Sequence, residues 1–266
     1  MIYNTSRCQE FFRNKFTGVS GEPFIDFKNG KDIKNFAPDS SDINTYNSFI
    51  NDDVKDYYYK AVLSFVEGIA AIRRNNLTWA TVQLYYSIFY GIRCSLLIRK
   101  VLLLKAKGNL YSLQLQSGKN YENVSPANDH AGSIKVYTSL FGIADFLCGN
   151  TIDDKNAYNW YENCRNIVNY RDGVFHDPES SLFWSEVILA IKNKGMINFI
   201  DEICREKNIF CFSEDYAVFS IPVVRIFDVA QELRNEGINA LSEEQKSWVI
   251  SILGEELRTT FNKILI

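Results

Sequence analysis

Proline and glycine are scarce in this chain of 266 residues, with only 5 prolines and 14 glycines. Because these residues interrupt helices and mark turns, their scarcity leaves room for long unbroken elements and disfavours a fold of many short strands. Hydrophobic residues make up 46% and aromatic residues 14% of the chain, which excludes a disordered protein. The composition therefore predicts a globular, helix-rich fold with a large core.

Several motifs of metal and nucleotide chemistry are missing. The six cysteines never occur at CxxC spacing, and the sequence contains neither HExxH nor GxxxxGK[ST]. A zinc centre, a disulfide framework and a P-loop are therefore not predicted. We expect free thiols, no metal and no cofactor.

Signals for secretion or membrane insertion are also missing. The first 16 residues mix charged side chains into the apolar ones and lack the apolar core of a signal peptide. Residues 75–92 carry no charge but hold too many polar side chains for a membrane span. We expect a cytoplasmic protein with no membrane partner.

Acidic residues are absent between Gly68 and Tyr121, a segment that we call the cationic stretch. Its basic residues are Arg73, Arg74, Arg93, Arg99, Lys100, Lys105, Lys107 and Lys119. The net charge of the chain is nevertheless −3, because residues 122–266 hold 22 acidic and 13 basic residues. Two interpretations stay open: the stretch pairs with acidic neighbours in the fold, or it faces phosphate groups.

Apolar residues recur at three- and four-residue spacing in five segments, which predicts five main helices. They cover about 53–74, 79–105, 129–147, 154–170 and 180–206. The second segment is apolar nearly all round, which is typical of a central helix. In the tail, Ser242 and Gln245 fit a capping box at the start of a last helix.

The predicted fold class is all-α, an up-and-down helical bundle with an irregular N-terminal arm and a helical C-terminal extension. The predicted domains are an arm at 1–50, a bundle at 51–206 and an extension at 207–266. Little sheet is expected outside the first 50 residues and a short apolar stretch near Phe210.

Histidine is rare, and His130 and His176 are the two candidates for acid–base chemistry. His130 lies at a predicted helix start, where a surface histidine beside a cap is the simplest interpretation. His176 follows Arg171 by five positions and precedes Asp177 and Pro178. Because proline disfavours helix at the residue before it, the chain is predicted to break at His176–Asp177.

The segment Arg171-Asp172-Gly173-Val174-Phe175-His176 resembles the motif of the HEPN superfamily, an arginine followed after four to six residues by a histidine. The segment from Leu84 to Arg93, with its Tyr85-Tyr86 pair, is similar to the early core helix of that family. The resemblance covers roughly residues 53–205.

The resemblance implies a HEPN-type fold and a metal-independent endoribonuclease, a toxin or antiviral defence effector that works as a homodimer on RNA such as tRNA or mRNA. An antitoxin or a regulatory protein would be a further partner. Two alternatives stay open: an inactive HEPN-fold module that binds a nucleotide or a partner protein, and a helical scaffold in which Arg171 and His176 stabilise a helix end.

The residue types suit RNA cleavage. RNA carries its own nucleophile, the 2′-hydroxyl, and an imidazole transfers protons near neutral pH. The planar guanidinium of Arg171 matches phosphate oxygens, and Asp172 either orients Arg171 or His176 or is a solvated helix-end carboxylate. Arg93, Arg99 and Lys100 of the cationic stretch are the candidates for RNA binding. Arg165, six residues before Arg171, is predicted to form an ordinary salt bridge.

Five residues turn an ideal helix by about 500°, which would place Arg171 and His176 about 140° apart. Either the helix ends between them, or two copies of the motif meet across a dimer. The family resemblance implies that two copies of the motif meet across a dimer and that the helix also ends between the two residues.

Overall fold

The computed structural model describes residues 5–17, 33–106, 108–174, 177 and 183–266. Within these ranges the protein is about 70% helical, with eleven α-helices and two small antiparallel sheets. The prediction of a helix-dominated fold is confirmed, but the expectation of a purely all-α fold is wrong because sheets are present. None of the described helices is long and apolar enough to span a membrane.

The chain divides into two compact units. Unit 1 comprises residues 1–57 and 92–139, and unit 2 comprises residues 58–91 and 140–266. Both units are discontinuous in sequence, whereas the predicted domains were contiguous ranges; that division into arm, bundle and extension stays a prediction.

Unit 1 contains helical residues where the sequence predicts an irregular arm. Helix α1 spans Arg7–Thr17, and helix α2 spans Ser40–Arg73, whose residues as far as Tyr57 belong to this unit. The arm is therefore not irregular in its described parts. Helix α3 (Leu77–Ile98) contributes its last residues, and α4 (Asp129–Phe141) begins at the predicted position.

A three-stranded antiparallel sheet follows α3 in unit 1. Its strands are β1 (Val101–Ala106), β2 (Asn109–Gln114) and β3 (Glu122–Val124), in the order β1-β2-β3. Leu104 lies opposite Tyr111, and Leu110 lies opposite Val124. The prediction that α3 continues to Lys105 is wrong, because Lys100 adopts a left-handed φ of 61° that ends the helix.

Aromatic side chains fill the core of unit 1. Phe12 contacts Tyr121 at 5.3 Å between ring centroids, and Phe16 contacts Tyr121 at 5.8 Å. The hydroxyls of Tyr46 and Tyr121 lie 2.8 Å apart in a hydrogen bond. Burial raises the pKa of both phenols, so they stay neutral and the bond satisfies polar groups that have left water.

Unit 2 holds the remaining parts of α2 and α3 and seven further helices within its described residues. These are α5 (Ala157–Asn166), α6 (Ser185–Lys194), α7 (Met196–Arg205), α8 (Lys207–Cys211), α9 (Glu214–Asn235), α10 (Glu243–Leu253) and α11 (Glu255–Phe261). Two-residue strands β4 (Thr151–Ile152) and β5 (Lys155–Asn156) precede α5.

Several boundaries in unit 2 correct the sequence prediction. The segment predicted as one helix at 180–206 is two helices, because Gly195 adopts a φ of 81° between α6 and α7. The stretch near Phe210 is helical in α8 rather than extended. The capping box of Ser242 and Gln245 is confirmed at the start of α10.

A buried ion network lies in the core of unit 2. The Arg225 guanidinium on α9 is 2% exposed and donates a hydrogen bond to the Gly91 carbonyl at 3.1 Å. Its Nη1 lies 3.7 Å from Asp145 and 3.6 Å from Glu232. Asp145 also accepts a hydrogen bond from the Tyr158 hydroxyl at 2.5 Å. These partners compensate the cost of burying the positive charge.

Asp53 of α2 binds the start of α1 in unit 1. Its Oδ1 accepts a hydrogen bond from the Arg7 amide at 2.8 Å, and its Oδ2 accepts one from the Cys8 amide at 3.0 Å. The Gln9 amide donates to Ser6 Oγ at 3.3 Å. The first three amides of α1, which have no partner within their own helix, are thereby satisfied.

Replacing Asp53 with Ala should lower the free energy of unfolding by about 1–3 kcal/mol, because two amides lose their acceptor. Asp52→Ala is the matched control: this exposed carboxylate on the same helix pairs with Arg7 Nε at 3.4 Å, and the change should cost at most about 1 kcal/mol. Urea denaturation followed by circular dichroism measures both. Equal losses for the two variants would show that Asp53 does not hold α1.

Candidate active site at the end of helix α5

The turn that follows helix α5 carries the arginine of the motif. Asn156 caps the start of α5, and its Oδ1 accepts a hydrogen bond from the Asn159 amide at 3.0 Å. After Asn166 the backbone widens into one π-helical turn over Ile167–Arg171, closed by the Asp172 amide on the Ile167 carbonyl at 2.8 Å. Wide turns of this kind occur often at functional sites.

The helix ends between Arg171 and the position of His176. Asp172 leaves helical geometry with φ −74° and ψ 128°. Of the two sequence-based arrangements for Arg171 and His176, the structure therefore contains the first, a helix that ends after the arginine. Phe175 and His176 lie outside the described residues.

Arg171 is exposed, and its Nη1 donates to Asn163 Oδ1 at 3.5 Å, the long limit of a hydrogen bond. Asp172 is half-buried, and its Oδ1 accepts from the Val174 amide at 3.5 Å. The long contact with Asn163 holds the Arg171 side chain only weakly. The guanidinium of Arg171 is thus accessible to a ligand in solution.

Asp177 holds the C-terminal side of the motif against α3. Its Oδ1 accepts hydrogen bonds from the Leu77 amide at 2.5 Å and the Thr78 amide at 3.1 Å. These amides belong to the first turn of α3, where a carboxylate also interacts favourably with the helix dipole. The residue that directly follows the motif in the chain therefore caps α3, the helix that carries Tyr85 and Tyr86.

Arg165 is the buried cation of this site. The side chain lies on α5, 9% exposed, and its guanidinium carbon is 5.3 Å from the Tyr85 ring centroid, 5.8 Å from Tyr86 and 5.0 Å from Tyr170. Contacts of this kind with ring faces stabilise a positive charge.

Polar partners satisfy part of the Arg165 guanidinium. Nη1 donates to Asn166 Oδ1 at 2.9 Å, and Nη2 donates to the Tyr86 hydroxyl at 3.4 Å. Nε is buried and has no hydrogen-bond partner among the described residues. Burial raises the pKa of the nearby Glu162, and the charge of Arg165 opposes that rise. The sequence assigned Arg165 an ordinary salt bridge and gave no sign of its aromatic surroundings.

The three predicted RNA-binding residues belong to unit 1, whereas Arg171 and Asp172 belong to unit 2. Arg93 is mostly buried: its Nη2 donates to the Tyr57 hydroxyl at 3.0 Å and to the Leu103 carbonyl at 3.1 Å. Arg99 lies over the Tyr137 ring at 5.8 Å. Lys100 is exposed at the turn between α3 and β1.

Three residues of the cationic stretch pair with carboxylates from outside it. Arg93 and Lys105 contact Asp129 at 3.5 and 2.5 Å, within unit 1. Arg73 pairs with Glu256, within unit 2. For these three residues the structure favours pairing within the fold over a phosphate-facing surface.

No protein family, curated protein or solved structure matches the chain. Within the described ranges, no group of three or more His, Cys, Asp or Glu side chains is arranged to hold a metal ion.

Replacing Asp177 with Ala should lower the free energy of unfolding by about 0.5–2 kcal/mol, the usual cost of losing a helix cap. Asp177→Asn is the matched control, because the amide oxygen still accepts from the Leu77 and Thr78 amides. Thermal and urea denaturation compare the two variants. If Ala is as stable as Asn and the native residue, Asp177 does not anchor the motif segment to α3.

Proposed function

We propose that the protein is an endoribonuclease that cleaves RNA by attack of the 2′-hydroxyl on the adjacent phosphate, without a metal ion. The observation that carries the proposal is the exposed guanidinium of Arg171 at the end of a π-helical turn, five residues before one of the chain's two histidines. The resemblance to the HEPN superfamily supports the same reading and suggests a cytoplasmic toxin or antiviral effector, regulated by an antitoxin or another protein.

Arg171 would hold the phosphate. Its planar fork of donors matches two phosphate oxygens, and its long contact with Asn163 at 3.5 Å is easily exchanged for a stronger, charge-assisted one. As the 2′-oxygen attacks, negative charge grows on the phosphate oxygens, and the bound guanidinium would stabilise that charge.

His176 would move the protons. One imidazole accepts the proton of the 2′-hydroxyl as the 2′-oxygen bonds to phosphorus, and an imidazolium gives a proton to the departing 5′-oxygen. The products are a 2′,3′-cyclic phosphate and a 5′-hydroxyl, so no water is consumed. Asp172 would orient Arg171 or His176 through its carboxylate.

Purified protein should cleave total RNA in the presence of EDTA and leave 2′,3′-cyclic phosphate ends. His176→Ala should lower the rate by a factor of about 10² to 10⁴, because acid–base catalysis is lost. Arg171→Lys should also lower it, because an ammonium lacks the planar fork. Gel analysis of labelled RNA and end-group mapping measure these effects.

Matched controls distinguish the effect of changing the motif residues from the effect of changing a histidine or an arginine elsewhere in the chain. His130→Ala removes the other histidine, and Arg258→Lys changes an arginine on α11 that pairs with Glu255 at 3.3 Å. Both should cleave at the native rate. Loss of cleavage on adding EDTA, or native rates for His176→Ala and Arg171→Lys together, would contradict the proposal.

The nuclease would act as a two-fold dimer with both motifs at one cleft. In-line displacement needs a base on one side of phosphorus and an acid on the other, and each chain supplies one Arg171 and one His176. A two-fold axis beside the motif would double the set.

Mixing native chains with an increasing excess of His176→Ala chains tests this assembly. If each cleft needs both histidines, a heterodimer with one histidine is inactive, so the activity per native chain should fall as the excess grows, whereas chains that act independently would keep it. A monomer by light scattering that cleaves RNA at a rate linear in protein concentration would contradict the dimer.

A second candidate is a HEPN-fold module that binds a nucleotide or a partner protein without catalysis. The observation that favours it is the exposure of two apolar side chains beside the motif, Tyr170 at 67% and Val174 at 62%. Exposed apolar residues of this size are frequent in binding surfaces. RNA that stays uncut at every protein concentration would favour this candidate.

A further inference from the structure

A row of aromatic rings and cations in unit 2 is connected by ring contacts and ends at Tyr170, the residue before Arg171. We call this row the ring–cation stripe, and its members are Lys60, Tyr90, Tyr86, Arg165, Tyr170 and Arg171. They come from α2, α3, α5 and the π-helical turn.

Measured contacts connect the stripe from Lys60 to Tyr170. Lys60 Nζ lies 5.9 Å from the centre of the Tyr90 ring. Tyr90 and Tyr86, one turn apart on α3, stack with centroids 5.8 Å apart and planes 28° apart. The Arg165 guanidinium lies between the Tyr86 ring at 5.8 Å and the Tyr170 ring at 5.0 Å. Tyr170 is the chain neighbour of Arg171.

The stripe is charged and exposed at both ends. Lys60 and Arg171 are exposed cations, and the Tyr170 ring is 67% exposed although one face lies near Arg165. Beneath it, the buried Arg165 keeps an Nε–H group without a partner among the described residues. The Tyr170 ring therefore has an exposed surface and also lies close to a positive charge.

We propose that the stripe binds an unpaired RNA strand and guides it to Arg171. Bases stack on aromatic faces irrespective of sequence, and basic side chains follow the phosphates. One base would stack on Tyr170, while Arg171 and Lys60 would each contact a phosphate. Because the bases of a duplex are stacked on one another, duplex RNA cannot use the ring of Tyr170. This inference rests on the proposed function for the choice of RNA.

A protein ligand fits the stripe less well. Tyrosine and arginine are frequent in protein interfaces too, but the stripe has exposed cations at both ends and no carboxylate among its six members, and an apolar partner surface would leave those cations without a counter-charge. A polyanion with flat, apolar bases complements both features.

Binding is best measured with the full chain carrying His176→Ala, so that cleavage does not interfere. The probes are a short fluorescein-labelled oligouridylate and a labelled RNA duplex of the same length, followed by fluorescence anisotropy. The single strand should bind more tightly. Adding Tyr170→Ala should weaken it by roughly 5- to 150-fold, the usual effect of removing one stacking ring, whereas Tyr170→Phe should keep most of the affinity.

Salt dependence tests the phosphate contacts. The slope of log affinity against log salt is negative, and its magnitude should decrease by about 0.7 for Lys60→Ala and by the same amount for Arg171→Ala. Each variant loses one phosphate contact to the single strand. Lys192→Ala, an exposed lysine on α6, and Trp248→Ala, an exposed aromatic on α10, are the controls and should change neither slope nor affinity.

The outcomes separate this inference from the proposed nuclease. If Tyr170→Ala binds the single strand as tightly as its parent, or if the duplex binds equally well, the stripe is not a strand-binding surface even when the native protein cleaves RNA. If Tyr170-dependent binding is found but the native protein never cleaves, the stripe is supported and the nuclease proposal fails.

Discussion

The positive charge of Arg165 lies nine-tenths out of water, and the face of unit 2 that carries the motif is organised around it. Burying an isolated ion costs several kcal/mol, so the surrounding residues must compensate that charge. Tyr85 and Tyr86 of α3 approach it with their rings, and Asn166 of α5 accepts a hydrogen bond. The side chain therefore couples α5 to α3.

Arg165 also contacts Tyr170, a residue that is exposed at the surface. Tyr170 is placed in the π-helical turn, so its ring lies near the guanidinium and its other side remains exposed. The turn then ends, Arg171 points to solvent, and Asp177 returns the chain to the first turn of α3. The exposed Arg171 therefore lies in the chain between Tyr170, whose ring contacts Arg165, and Asp177, which binds the Leu77 amide.

The sequence predicted the helices that repeat an apolar face over several turns, and it missed elements that depend on tertiary contacts. The apolar residues from Val101 to Leu104 follow one another without a polar position, and such a short sequence pattern fits a buried helix as well as a buried strand. The left-handed backbone of Lys100 decides between them, and a lysine gives no signal for that conformation. Gly195 is visible in the sequence as a glycine, but no nearby proline marks the end of a helix there, as Pro178 does after the motif.

The site was predictable in part. The pattern from Arg171 to His176 and the Tyr85-Tyr86 pair gave the motif and its neighbouring helix. Arg165 could not be assigned, because its meeting with Tyr170 requires the widened turn, and regular helical spacing does not place residues five apart together. Asp177 carried a weak signal, an acidic residue before a proline at a chain break, but its partners at Leu77 and Thr78 lie 100 and 99 residues away.

In the proposed reaction the 2′-hydroxyl of RNA is the nucleophile, in a site built on Arg171 and His176. The most direct test uses an RNA with one cleavage position and its analogue with a single 2′-deoxy sugar on the 5′ side of that phosphate. We expect the native protein to cut the RNA and to leave the analogue intact at that position. Cleavage of the analogue at a comparable rate would contradict it, because an external nucleophile would then have attacked the phosphate.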